Sequence, residues 1–117
     1  MHWHYEKIDE NGKLKSINNY QNDTDGKITG RFVVNVKAWF DEHPEEAIAR
    51  GWTKHITWTT EEQDEKWPHN EGTEYLSRSI KRIDDHTVED DYVVMQKSEA
   101  QLALEELSND EIFFGIG

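Results

Sequence analysis

The chain has 117 residues, of which 25 are acidic and 13 basic, giving a net charge of −12, and it contains no cysteine. That excludes a disulfide framework, a thiolate metal site and cysteine nucleophilic catalysis, and it disfavours binding of phosphate backbones along a broad basic face. No apolar run approaches the roughly 18 residues of a membrane-spanning helix, and Met1–Asp9 carries no signal-peptide pattern.

Residues 1–60 hold 9 acidic and 8 basic side chains, whereas residues 61–117 hold 16 and 5, so nearly all the negative charge lies in the second half. Only 34% of residues are apolar, yet there are 5 Trp, 4 Tyr and 4 Phe, and each can bury roughly 150–250 Å². A single domain over residues 1–110 with a modest aromatic core is expected, followed by an apolar tail over 111–117.

In chain order, Trp3 and Tyr5 alternate with His2, His4 and Glu6, and Asn11-Gly12 separates them from Leu14 and Ile17. This predicts a hairpin with strands near 2–8 and 13–19. Asn22–Gly26 reads as a turn, and Lys27–Val34 as a third strand or extended segment. Asn35 is placed to cap a helix on which Val36, Trp39 and Phe40 share a face. Pro44 opens a second short helix and Gly51 stops it. Trp52–Thr60 alternates and is rich in Thr and Ile, so it is expected to be a strand. Residues 61–72 read as a loop. Thr73–Ile83 and Thr87–Gln96 are taken as two strands joined by Asp84-Asp85-His86. Ser98 and Gln101 form a capping box for a helix at 99–107, which Asn109-Asp110 ends. The sum is an α+β fold, a small antiparallel sheet with two or three short helices.

Three groups invite a chemical reading. His2 and His4 share one strand face and could present imidazoles to a metal, with a third ligand from His55, His69, His86 or a carboxylate. Asp23, Asp25, Gly26 and Ile28 match part of a calcium loop, but Gln21 and Phe32 stand where acidic ligands belong. Turn chemistry explains that segment equally. Asp84, Asp85, His86, Glu89, Asp90 and Asp91 form the densest acidic cluster, but adjacent strand residues face opposite sides and cannot all converge. No nucleophile elbow, phosphate loop or dinucleotide fingerprint is present. The expectation is therefore no enzyme, no catalytic residue, no metal and no cofactor.

Trp39 and Trp52 are expected in the core, leaving Trp3, Trp58 and Trp67 as surface candidates. Ile112, Phe113, Phe114 and Ile116 form an apolar tail suited to docking on a partner. These seven residues are the expected interface for a protein partner or for self-association, without direct contact to nucleic acid or membrane.

The stretch Ala47-Ile48-Ala49-Arg50-Gly51-Trp52-Thr53, followed by Thr59-Thr60-Glu61-Glu62-Gln63, is similar to short tail-region proteins of tailed phages. The resemblance implies a virion component or accessory protein, in the virion or the host cytoplasm. A structural or interaction protein is the leading expectation. The alternative is an acidic inhibitor that mimics nucleic acid in the basic groove of a host nuclease or DNA-binding protein.

Overall fold

The computed structural model describes the chain over residues 1–114, and its side chains over residues 1–107. The elements are β1 (His2–Ile8), β2 (Leu14–Ile17), α1 (Val36–Glu42), α2 (Pro44–Ala49), β3 (Thr53–Thr57), α3 (Thr60–Lys66), β4 (Glu74–Asp84), β5 (Thr87–Gln96) and α4 (Glu99–Phe114). The fold is α+β, with a five-stranded sheet in the order β2-β1-β3-β5-β4. β1 is antiparallel to β2 and β3, but β3 and β5 run parallel. The sheet is therefore mixed rather than antiparallel. β4 folds back on β5 as a hairpin and takes the outer position. Its outward charges, Arg78, Lys81 and Arg82, suit an edge strand, which has to resist further pairing.

The chain divides into two compact units. The first comprises Met1–Thr59 and Ile80–Asp91, and the second Thr60–Ser79 and the residues from Tyr92 on.

In the first unit, alternation along β1 sends Trp3 and Tyr5 to one sheet face and His4 and Glu6 to the other. The Tyr5 face carries the core, in which Tyr5, Ile17, Val36, Phe40, Ala47 and Trp52 are buried together. Tyr5 meets Phe40 edge-on, with centroids 5.4 Å apart, and Phe40 contacts Trp52 at 6.3 Å. Trp39 packs half-buried at the margin, so of the two expected core tryptophans Trp52 alone is buried.

Both short helices have the predicted ends. The Asn35 side-chain oxygen accepts from the Ala38 amide at 3.0 Å. Gly51, at φ 80°, lets the Trp52 amide reach the Ala47 carbonyl at 2.9 Å and its own amide reach Ile48 at 3.0 Å. This pair of bonds satisfies carbonyls that a helix end otherwise leaves open.

Lys27–Val34 is not a strand. The Asp23 carboxylate, fully buried, accepts from the amides of Ile28 (3.2 Å) and Thr29 (2.7 Å) and from the Thr29 hydroxyl (2.6 Å). Together with positive φ at Gly26 and Gly30 this curls the segment into turns, and only a single bridge, Asp23 to Val33, survives. Both carboxylate oxygens thus serve backbone and hydroxyl donors, which favours the turn reading over the calcium loop.

The second unit holds two helices that the sequence placed differently. α3 falls where a loop was expected. None of its side chains is buried, and Glu61 and Glu62 in its first turn and Lys66 in its last match the helix dipole. α4 begins as predicted, with the Gln101 amide donating to Ser98 Oγ at 3.0 Å. It then continues through Asn109-Asp110 to Phe114, because neither residue forces a left-handed stop as glycine would. In the same unit Trp67 contacts Tyr92 at 5.0 Å, and Gln96 donates to Glu74 at 2.8 Å. Among the described residues, no helix is long and apolar enough to cross a membrane.

Two outcomes follow from this packing. Phe40→Ala lowers unfolding free energy by about 3–5 kcal/mol, and Gly51→Ala by about 1 kcal/mol through the left-handed backbone it must keep, both measured by denaturant unfolding. Burial alone would raise the Asp23 carboxyl, but the bonds from Thr29 and Ile28 outweigh it and hold the group below the usual carboxylate range. A depressed folded pKa means that its stabilisation is complete above the unfolded value of 3.8 and is lost as pH falls through the folded one. Asp23→Asn therefore flattens the acid limb of the stability–pH curve relative to the parent chain.

Candidate functional site: a histidine held between two carboxylates

The sheet face opposite the core carries a polar network. His4 on β1 lies directly across from His55 on β3, and Glu6 is one alternation further along β1. The His55 ring is buried and bonded at both ends: Nδ1 to Glu6 Oε1 at 2.8 Å, and Nε2 to Asp90 Oδ1 at 2.7 Å. His4 Nε2 reaches the same Glu6 oxygen at 2.5 Å, and the two imidazoles lie 4.9 Å apart. Asp90, also buried, comes from β5, and its backbone carbonyl accepts from Trp58 Nε1 at 2.8 Å.

Strand alternation explains the convergence. His4 and Glu6 share one face of β1, and the cross-strand register puts His55 on it too. The parallel β3–β5 pairing sets His55 beside Val88, and Asp90 follows two residues later on the same face.

Burial by itself lowers the His55 pKa, but its bonds to Glu6 and Asp90 outweigh burial and hold it above the ordinary imidazole value. Burial likewise raises Glu6, while bonds from His55 and His4 hold it below the usual range. The arrangement is a histidine ring held between two carboxylates, with a second imidazole at the more open end.

Beside this network is a groove of about 580 Å³ lined by Glu6, Ile8, Leu14, Thr53, Ile80, Arg82 and Val88. On the core side of the sheet, a pocket of about 370 Å³ is bordered by Trp3, Tyr5, Asp41, Trp52, Lys54 and His86. There Asp41 accepts from Trp3 Nε1 at 2.8 Å and from the Tyr5 hydroxyl at 2.6 Å. The ammonium groups of Lys37 and Lys54 lie 4.2 and 4.7 Å from the centre of the Trp3 ring, a cation–π contact.

The expected interface residues are distributed rather than gathered. Trp3 borders the core-side pocket, Trp58 is bonded to the Asp90 backbone, and Trp67 packs on Tyr92 in the second unit. Ile112, Phe113 and Phe114 fall on the α4 backbone, beyond the residues whose side chains are described, and Ile116 lies outside the described residues. His2 does not join His4 in the network; the partners of His4 are Glu6 and His55. Of the acidic cluster, Asp90 turns inward to His55, while Asp84 accepts the His86 amide at 2.7 Å and shapes the hairpin turn.

Comparison with protein-family models, with curated proteins and with solved structures gave no match to this chain.

Removing one partner from a buried ionic group leaves the other uncompensated. Asp90→Ala lowers stability by about 3–5 kcal/mol in denaturant unfolding, whereas a loss below about 1 kcal/mol would show that the Asp90 contact contributes little.

Proposed function

We propose that the protein is a non-enzymatic interaction protein that docks on a protein partner through α4. The observation that carries this reading is the apolar stripe of that helix. Ala100, Ala103, Leu104 and Leu107 follow i, i+3, i+4, i+7 spacing, and all four are exposed, Leu104 to 64% and Leu107 to 50%. Such a stripe in a surface helix normally faces a core or a partner.

Charge selects the kind of partner. α4 carries Glu99, Glu105, Glu106, Asp110 and Glu111 and no Lys or Arg. Pairing with a second copy would bring like charges together, so the fitting surface has an apolar floor and a basic rim. Docking of this kind suits a small phage head or tail component in the virion or host cytoplasm, the setting supported by the resemblance of residues 47–63. Gly51 and Trp52 within that stretch also have local structural reasons for being there.

The acidic-inhibitor reading draws on a different observation. The second unit holds 11 acidic and 3 basic side chains, a net −8, against −4 for the first.

The test is fluorescence anisotropy with two labelled helical peptides, one bearing a leucine stripe flanked by lysines, the other with its leucines replaced by serine. The first is expected to bind, to weaken with salt, and to lose about tenfold or more in affinity against the Leu104→Glu/Leu107→Glu double variant. Equal binding of both peptides would assign recognition to charge alone and favour the inhibitor reading. Absence of binding to either overturns docking through a basic-rimmed partner. A mass that grows with concentration in light scattering, and not in the double variant, would make a second copy the partner.

A further inference from the structure

We propose that His4, Glu6 and His55 form a binding site for a divalent transition-metal ion of the zinc class, with Asp90 as the outer carboxylate that orients His55. The reading is independent of docking through α4.

The donor set is the first argument. One ligand atom from each of the three residues lies within 4.8 Å of the other two. Two imidazole nitrogens and one carboxylate oxygen are donors that zinc takes readily. Glu6 Oε1 already sits between His4 Nε2 (2.5 Å) and His55 Nδ1 (2.8 Å). Ligand atoms around a four-coordinate ion with bonds of about 2.0–2.1 Å stand about 3.3 Å apart. The two Glu6 contacts therefore lie within about 1 Å of ligand spacing, the imidazole nitrogens, within 4.8 Å of one another, close on the ion from either side, and the ion replaces the hydrogen bonds that now join the three groups.

Orientation is the second argument. Asp90 Oδ1 accepts from His55 Nε2 at 2.7 Å, which leaves Nδ1 as the nitrogen aimed at His4 and Glu6. Metal-bound histidines commonly give their far nitrogen to such a carboxylate. Here that carboxylate is itself buried and comes from a different strand. The three ligands stand on β1 and β3, paired strands of the sheet, so the site is fixed by backbone register rather than by a loop.

Charge is the third. Glu6 and Asp90 contribute two negative charges; metal binding releases to solvent the proton that lies between His55 Nδ1 and Glu6, after which two neutral imidazoles, two carboxylates and one divalent cation sum to zero. Access is the fourth. His55 is buried, but His4 and Glu6 are only half-buried, and Glu6 borders the 580 Å³ groove. Water or an incoming donor can thus complete the coordination sphere from that side. The ion would staple β1 to β3 and present an open position at the groove.

The experiment uses the full chain, freed of metal by a chelator and then titrated with Zn²⁺ against a chromophoric competitor, with Co²⁺ as a spectroscopic substitute. Expected are one ion per chain, a rise in Tm on addition of Zn²⁺, and visible d–d bands for Co²⁺. His4→Ala, at a half-exposed position that should leave the fold intact by circular dichroism, removes all three signals. Asp90→Asn weakens binding by about 10–100-fold without changing the stoichiometry. His69→Ala changes nothing, which separates this site from Asp64, His69 and Glu71, a more exposed group with similar spacing in the second unit. Absence of stoichiometric binding, or binding that His4→Ala leaves untouched, overturns the proposal.

Discussion

The contact of His55 with two carboxylates organises the first unit. Glu6 comes from β1, His55 from β3 and Asp90 from β5, so the two bonds on one ring tie three adjacent strands at the centre of the sheet. A buried ring with both nitrogens satisfied tolerates little sliding of either neighbour, because a one-residue slip would turn its partner to the opposite face. The network thus specifies register on a face that lacks the dense apolar packing of the other side. Buried ionic groups are weak evidence for stability and better evidence for such specification.

The two sides of the sheet use different physics. On one, Tyr5, Ile17, Phe40 and Trp52 interlock beneath α1 and α2, and the stabilisation comes from apolar burial. On the other, hydrogen-bonded charges occupy the centre while Ile8, Leu14 and Ile80 stand around an open groove. A chain with 34% apolar residues has too little material to build a thick core on both faces. Concentrating the aromatics on one side and polar cross-links on the other is one solution to that shortage.

Local signals in the sequence were strong enough to place most elements. Asn35, Gly51 and Ser98 act through neighbouring amides and carbonyls and Pro44 through its fixed φ and missing N–H, and each marks its helix end locally. What escaped depends on distant pairing or on an absent apolar pattern. Nothing in β5 alone says that it runs parallel to β3, so Asp90, 35 residues from His55, looked like part of a solvated acidic turn. α3 has no apolar face and reads as a loop until its end charges are set against the dipole. Lys27–Val34 has β-branched residues, but the carboxylate of Asp23 competes for its amides and wins. Within the network, the alternation of His4 and Glu6 on β1 was visible, and only the register of β3 was needed to bring His55 to them.

The tryptophans occupy chemically distinct places, and this gives the protein built-in optical reporters. Trp52 is enclosed by the core, Trp39 stacks on His43 at 4.5 Å, Trp3 lies beneath two ammonium groups, and Trp58 is bonded to the backbone of Asp90. All four belong to the first unit, while Trp67 belongs to the second and touches Tyr92. Intrinsic emission therefore weighs the two units unequally. A melting curve followed by total tryptophan fluorescence is weighted toward the first unit, the same curve from a Trp67→Phe chain reports the first unit alone, and the difference between them reports the second, without any attached dye.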